Sequence, residues 1–96
     1  MTSKERAYLR GLANKIDAIF QIGKGGISDV LLAQLNNAIE ARELIKISVL
    51  ETAPGSAKDL ANEIANGTNS VVVQTVGNKI TLFREKKKNS KIEFPK

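Results

Sequence analysis

The sequence predicts an α/β (α+β) domain of element order α-β-α-β-α-β-β, with helices packed on one mixed four-stranded sheet. Three observations carry this. Apolar residues recur at helical spacing in three stretches, 3–14, 28–42 and 56–67. Between the second and third, Leu44 to Leu50 alternates, with Ile45, Ile47 and Val49 on one side and Lys46 and Ser48 on the other. Two final β-rich runs flank Gly77-Asn78, a two-residue turn that begins with glycine.

Taken in order, Ser3 reads as the cap of a first helix running to about Asn14. Ala7, Tyr8, Leu9 and Leu12 form its apolar face. Asp17 to Ile22 reads as a strand, rich in β-branched and aromatic residues. Ser28 is a good N-cap for the second helix, Asp29 suits its first turn, and Ile27, Leu31, Leu35, Ala38 and Ile39 give its inward stripe. That helix ends near Arg42 or Glu43. The alternation of Leu44 to Leu50 predicts a strand with one buried and one polar face, and a strand–helix–strand unit favours parallel pairing. After Pro54-Gly55, Ser56 and Asp59 have capping-box spacing. Ala57, Leu60, Ala61 and Ile64 point inward, and Gly67 reads as the stop. Val71 to Val76 and Lys79 to Arg84 close the sheet as a hairpin. Residues 1–84 form one domain and 85–96 a basic tail, with a short strand expected at 91–95.

Ile22-Gly23-Lys24-Gly25-Gly26-Ile27-Ser28-Asp29 sits between strand and helix. Its glycines allow close approach, Lys24 brings a cation, and the following helix presents unpaired N–H groups. Such a loop suits a phosphate or nucleic-acid backbone. The same residues serve a plain strand-to-helix turn equally well.

The chain has 96 residues and a formal charge of +5; five Lys and two Glu in residues 85–96 supply +3 of it. A basic balance favours anionic partners, RNA and DNA first. With no Cys and no His, thiolate chemistry and the commonest general base and metal ligand are missing. No cofactor or metal is expected. Asp17, Asp29, Glu43 and Ser28 adjoin no recognisable catalytic partner, and the glycine loop lacks the P-loop pattern, so the residues point away from an enzyme. No apolar run approaches membrane-spanning length and the N-terminus does not read as a signal peptide, so a cytoplasmic monomer is expected.

Five segments together resemble the CRM domain (chloroplast RNA splicing and ribosome maturation), in particular its stand-alone bacterial form, the YhbY-like proteins. They are Leu9-Arg10-Gly11-Leu12-Ala13, Ile22-Gly23-Lys24-Gly25-Gly26, Glu43-Leu44-Ile45-Lys46-Ile47, Val72-Val73-Gln74-Thr75-Val76-Gly77-Asn78-Lys79 and Leu82-Phe83-Arg84. The resemblance implies a fold similar to KH-like and initiation-factor C-terminal domains. It also implies RNA as the partner, ribosomal RNA of large-subunit precursors in particular, and a Gly-x-x-Gly loop formed here by Gly23 and Gly26. Where the family often has Tyr before the last Arg, this chain has Phe83.

The residues expected to contact RNA are Gly23, Lys24, Gly25 and Gly26 in the loop, Arg10, Lys15, Lys46, Lys79 and Arg84 on the body, and Lys86 and Lys87 in the tail. Lys4 and Arg6 extend the same set of cations. Phe20 and Phe83 read as core residues, so recognition of backbone and shape is expected more than base stacking. The competing reading is a protein-interaction module whose basic face docks an acidic ribosome-associated partner.

Overall fold

The computed structural model describes residues 1–86 together with Ile92 and Phe94. Its elements run α1 (Ser3–Ala13), β1 (Phe20–Ile22), α2 (Asp29–Arg42), β2 (Leu44–Val49), α3 (Ala57–Thr68), β3 (Val71–Val76) and β4 (Lys79–Phe83). They build one four-stranded sheet of order β1-β2-β4-β3. β1 pairs parallel with β2, matching Phe20 to Ile47 and Ile22 to Val49, while β4 lies antiparallel between β2 and β3.

Sheet alternation divides the core in two. Ile22, Ile45, Ile47, Val49, Ile80 and Leu82 face α2 and α3, where Leu35, Ile39, Leu60 and Ile64 close the larger core. Leu44, Phe83 and Val73 point the other way and pack under α1 against Leu9. Each fully buried Leu or Ile contributes about 1.5–3 kcal/mol. Thirteen described residues are buried in the first cluster and four in the second, so the α2/α3 layer dominates stability.

This arrangement corrects the expectation of one polar face on β2. Leu44 and Ser48 are buried on the α1 side, and only Lys46 there is part-exposed. Strand β1 is also shorter than expected: residues 17–19 lie outside it, and Ile19 donates its N–H to the Lys46 carbonyl at 2.9 Å.

The caps follow local chemistry. Thr2, not Ser3, caps α1: its hydroxyl accepts from Glu5 N–H at 3.1 Å, and Glu5 Oε1 accepts from Thr2 N–H at 2.9 Å. The bond from the Thr2 backbone, aided by the Thr2 side chain, holds the Glu5 carboxyl below the usual glutamate range. On α1, Leu9 and Ala13 are buried and Ala7 is exposed, so the inward face is rotated from the expected one. Ser28 caps α2 and Ser56 caps α3, as their positions predict.

Gly67 does not stop α3. The helix passes through it because its bare Cα lies against Leu32 of α2, where a Cβ would come within 3.0 Å of the leucine. Asn69 ends the helix instead, with φ 55° and ψ 41°. In the β3–β4 hairpin the left-handed φ of 58° falls on Gly77, as a turn beginning with glycine requires.

Candidate nucleic-acid interface

Ile22, buried at the end of β1, anchors the start of the glycine loop. Gly23 to Gly26 form a tight turn in which Gly26 N–H donates to Gly23 O at 2.9 Å. Lys24 and Gly25 occupy its two central positions and are exposed. The three glycines differ in what surrounds them. A Cβ on Gly25 would meet nothing within 4 Å, and one on Gly23 would make ordinary contact with Leu50 and Thr52. One on Gly26 would sit 2.9 Å from Pro54 Cγ, and Gly26 holds φ 65°. Gly26 therefore shapes the turn, whereas Gly25 leaves its outer surface bare. Ser28 accepts from Leu31 N–H at 3.1 Å just beyond, and Asp29 adds a negative charge in the first turn of α2.

On the α1 side of the sheet, register aligns Gln21, Ser48, Lys79 and Val76 in one row across all four strands, and Lys46, Thr81 and Gln74 in the next. The first row lies about two strand residues, roughly 7 Å, from the level of the glycine turn. Leu44 and Phe83, at the far end, lie under α1, leaving these polar rows beside it. Lys79 donates to Ser48 Oγ at 2.6 Å, and Lys46 donates to the Ile16 carbonyl at 3.3 Å, tying β2 to the chain just after α1. Arg10 lies one turn beyond Arg6 on α1. The side chains of Arg10, Lys15 and Lys24 bond no other described residue.

Two expected cations are committed to the protein itself. Arg84 Nη1 donates to Asn36 Oδ1 at 2.9 Å and Thr68 O at 2.6 Å; its Nη2 donates to Asn36 O at 3.3 Å and pairs with Glu40 at 3.1 Å. It sits beside α2 and α3 at the end of β4 remote from the glycine turn, on the face opposite Lys46 and Lys79. Arg6 Nη1 donates to the carbonyls of Val72 and Val73 at 2.7 and 2.9 Å, where a register shift leaves Val73 extra in β3. Lys86 stands near Arg84, its N–H bonded to Glu43 Oε2 at 3.2 Å. Lys87 lies outside the described residues, as does most of the strand expected at 91–95; Ile92 and Phe94 are not in a strand.

Glu43, weighed above for chemistry, is fully buried as the C-cap of α2 with φ 68°. Phe83 packs in the smaller core, its ring 5.7 Å from that of Phe94, which is 6.0 Å from Tyr8. That apolar setting suits a phenylalanine without the hydroxyl. No group of three His, Cys, Asp or Glu that could hold a metal ion occurs among the described residues, and none of their helices is long and apolar enough to cross a membrane.

Sequence reasoning passed over Gln21, Gln74 and Arg42. The first two flank the polar rows at positions only strand register reveals. In the sequence Arg42 reads only as the approximate end of the second helix; it lies in the last turn of α2, where a cation suits the helix dipole, and its side chain bonds no other described residue.

The family model described as "CRS1 / YhbY (CRM) domain" matches residues 1–84. The "Probable RNA-binding protein YqeI" of Bacillus subtilis (strain 168) is 44% identical over 95 residues, covering 99% of each chain. A Haemophilus influenzae protein named "RNA-binding protein" is 29% identical over 96 residues, covering 100% of this chain and 96% of that one. The solution structure of the hypothetical protein SAV1595 from Staphylococcus aureus superposes with a TM-score of 0.82 at 45% identity, covering 99% of both chains. Architecture and sequence thus agree, and the chain belongs to the CRS1/YhbY (CRM) domain family.

Proposed function

We propose that this protein binds RNA, specifically ribosomal RNA of large-subunit precursors, and assists assembly or maturation of that subunit. One observation carries the reading: an exposed glycine turn with an unpartnered Lys24 at its tip, at one end of a sheet face bearing Lys46 and Lys79. The naming of full-length relatives as RNA-binding proteins supports the polymer; the resemblance to YhbY-like proteins supports its ribosomal source.

Bare backbone at Gly25 lets a phosphate approach, Lys24 neutralises it, and the N-terminus of α2 adds donors. Arg10, Lys15, Lys46 and Lys79 extend the attraction along the strand. Arg84 supports the fold rather than the contact. The protein acts as a cytoplasmic monomer without a cofactor and performs no catalysis in this role.

The test is affinity for large-subunit ribosomal RNA measured with single variants. Gly25→Asp places a like charge where the phosphate would lie, at a position where an added Cβ meets nothing within 4 Å, so binding weakens roughly tenfold or more while the melting temperature holds. Lys24→Ala lowers the salt dependence by about 0.7 to 0.9 log units per log unit of salt. Gly26→Asp is the wrong probe, because its left-handed φ and contact with Pro54 would strain the fold as well. A folded Gly25→Asp protein with unchanged RNA affinity would remove the turn from the mechanism.

A further inference from the structure

Strand β1 covers only half of β2. It pairs Phe20–Ile22 with Ile47–Val49 and leaves Leu44, Ile45 and Lys46 without a strand partner on that side. The chain from Lys15 to Ile19 passes around the gap and encloses a groove of about 560 Å³. Its floor is apolar, made by Leu12, Ile16 and Leu44. Its rim is basic, and three elements supply the charge: Lys15 follows α1, Arg42 ends α2 and Lys46 stands on β2. Asp17 is the one acid among the described lining residues. The side chains of Lys15 and Arg42 are free of described partners, and Lys46, held by the Ile16 carbonyl, keeps two further donors.

The geometry points to a second RNA subsite, in which this groove takes one unstacked nucleotide of the bound strand. The inference rests on the RNA-binding reading and deepens it. An apolar floor beneath a cationic rim fits a ligand with a flat apolar face and an anionic group, as a nucleotide has. The Leu12–Ile16–Leu44 floor receives the base, the Arg42 guanidinium offers a plane to stack on it, and Lys15 and Lys46 pair with its phosphate. The volume falls within the range of about 300–1,000 Å³ typical of small-ligand sites. Ile19, at the groove, and Gly23, opening the glycine turn, are four residues apart along the edge of the sheet, about 13 Å of extended chain. One single strand can therefore meet both places.

The experiment titrates the full-length, isotopically labelled protein with adenosine 5′-monophosphate, with inorganic phosphate alone, with a Glu-rich peptide and with a single-stranded hexanucleotide. The mononucleotide is expected to shift the amides of Leu12, Ile16, Ile19 and Leu44 more than phosphate does. The double variant Lys15→Ala, Arg42→Ala is expected to lose those shifts, weaken hexanucleotide binding about tenfold and keep its melting temperature. Gly25→Asp should leave the mononucleotide shifts in place. The subsite is overturned if phosphate alone reproduces the pattern, if the peptide occupies the groove and the mononucleotide does not, or if the double variant binds the hexanucleotide like the parent. Failure of the parent to bind ribosomal RNA sinks the function proposed above, and the mononucleotide arm then decides the groove by itself.

Discussion

Arg6 and Arg84 each direct a guanidinium at backbone carbonyls, Arg84 through both terminal nitrogens and Arg6 through Nη1 alone. Arg84 is 24% exposed and bonds Thr68 O at the end of α3 while holding Asn36 and Glu40 of α2. Exposed ion pairs contribute little, so the Glu40 contact matters less than the carbonyl bonds, whose acceptors would lose their donor. Arg84→Ala is expected to cost about 2–3 kcal/mol, a fall of roughly 10 °C or more in melting temperature for a domain this size. Arg84→Lys recovers only part of this, because one ammonium cannot reproduce the planar fork. RNA affinity, measured where both variants are folded, should stay at the parent value. Lost affinity at unchanged melting temperature would instead assign Arg84 to the RNA surface.

At the scale of elements, α1 is the layer with the smaller buried cluster, and its first turn depends on the reciprocal bonds of Thr2 and Glu5. The Glu5 carboxyl is held below its ordinary range, so its stabilisation is present above the unfolded glutamate value and is lost as pH falls through the folded one. Acidification should therefore lower the hydrogen-exchange protection of the first-turn amides of α1, relative to the intrinsic rate at each pH, before that of α3. In Glu5→Gln that acid dependence should vanish, since the amide oxygen still accepts from Thr2 N–H but does not titrate; acid-dependent protection persisting there would place the cause elsewhere. Elements with strong local signals were legible in the sequence: Ser28 and Ser56 as caps, the alternation of Leu44 to Val49, the turn at Gly77. Other features are set by neighbours distant in the chain. Gly67 reads as a stop until Leu32 is seen to need the space, and β2 reads as half polar until α1 is placed over Leu44. Within the interface, the turn and Lys24 could be read directly. The capture of Arg84 by Asn36 and Thr68, and the meeting of Lys15, Arg42 and Lys46, depend on tertiary contacts that no local pattern encodes.

Across the whole molecule, placement of the cations matters more than the formal charge of +5. Internal bonds engage both terminal nitrogens of Arg84 and remove it from the available set, while Arg6 is held through Nη1. Arg10, Lys15 and Lys24 remain unpartnered, Lys46 keeps two donors beyond its bond to Ile16, and Lys79 is exposed with one bond to Ser48. If these five meet phosphates of a single-stranded segment, log affinity should fall by about 3.5 per log unit of salt, at about 0.7 for each contact. Lys24→Ala should then reduce that slope, and the Lys15→Ala, Lys46→Ala pair should reduce it by about twice as much. Arg84→Ala should leave it alone, because an arginine held by carbonyls releases no counterion from RNA. A protein partner docked through an apolar interface responds weakly to salt. A measured slope near zero would therefore favour an acidic protein partner over RNA, and a steep slope insensitive to all three cations would move the contact surface to another part of the molecule.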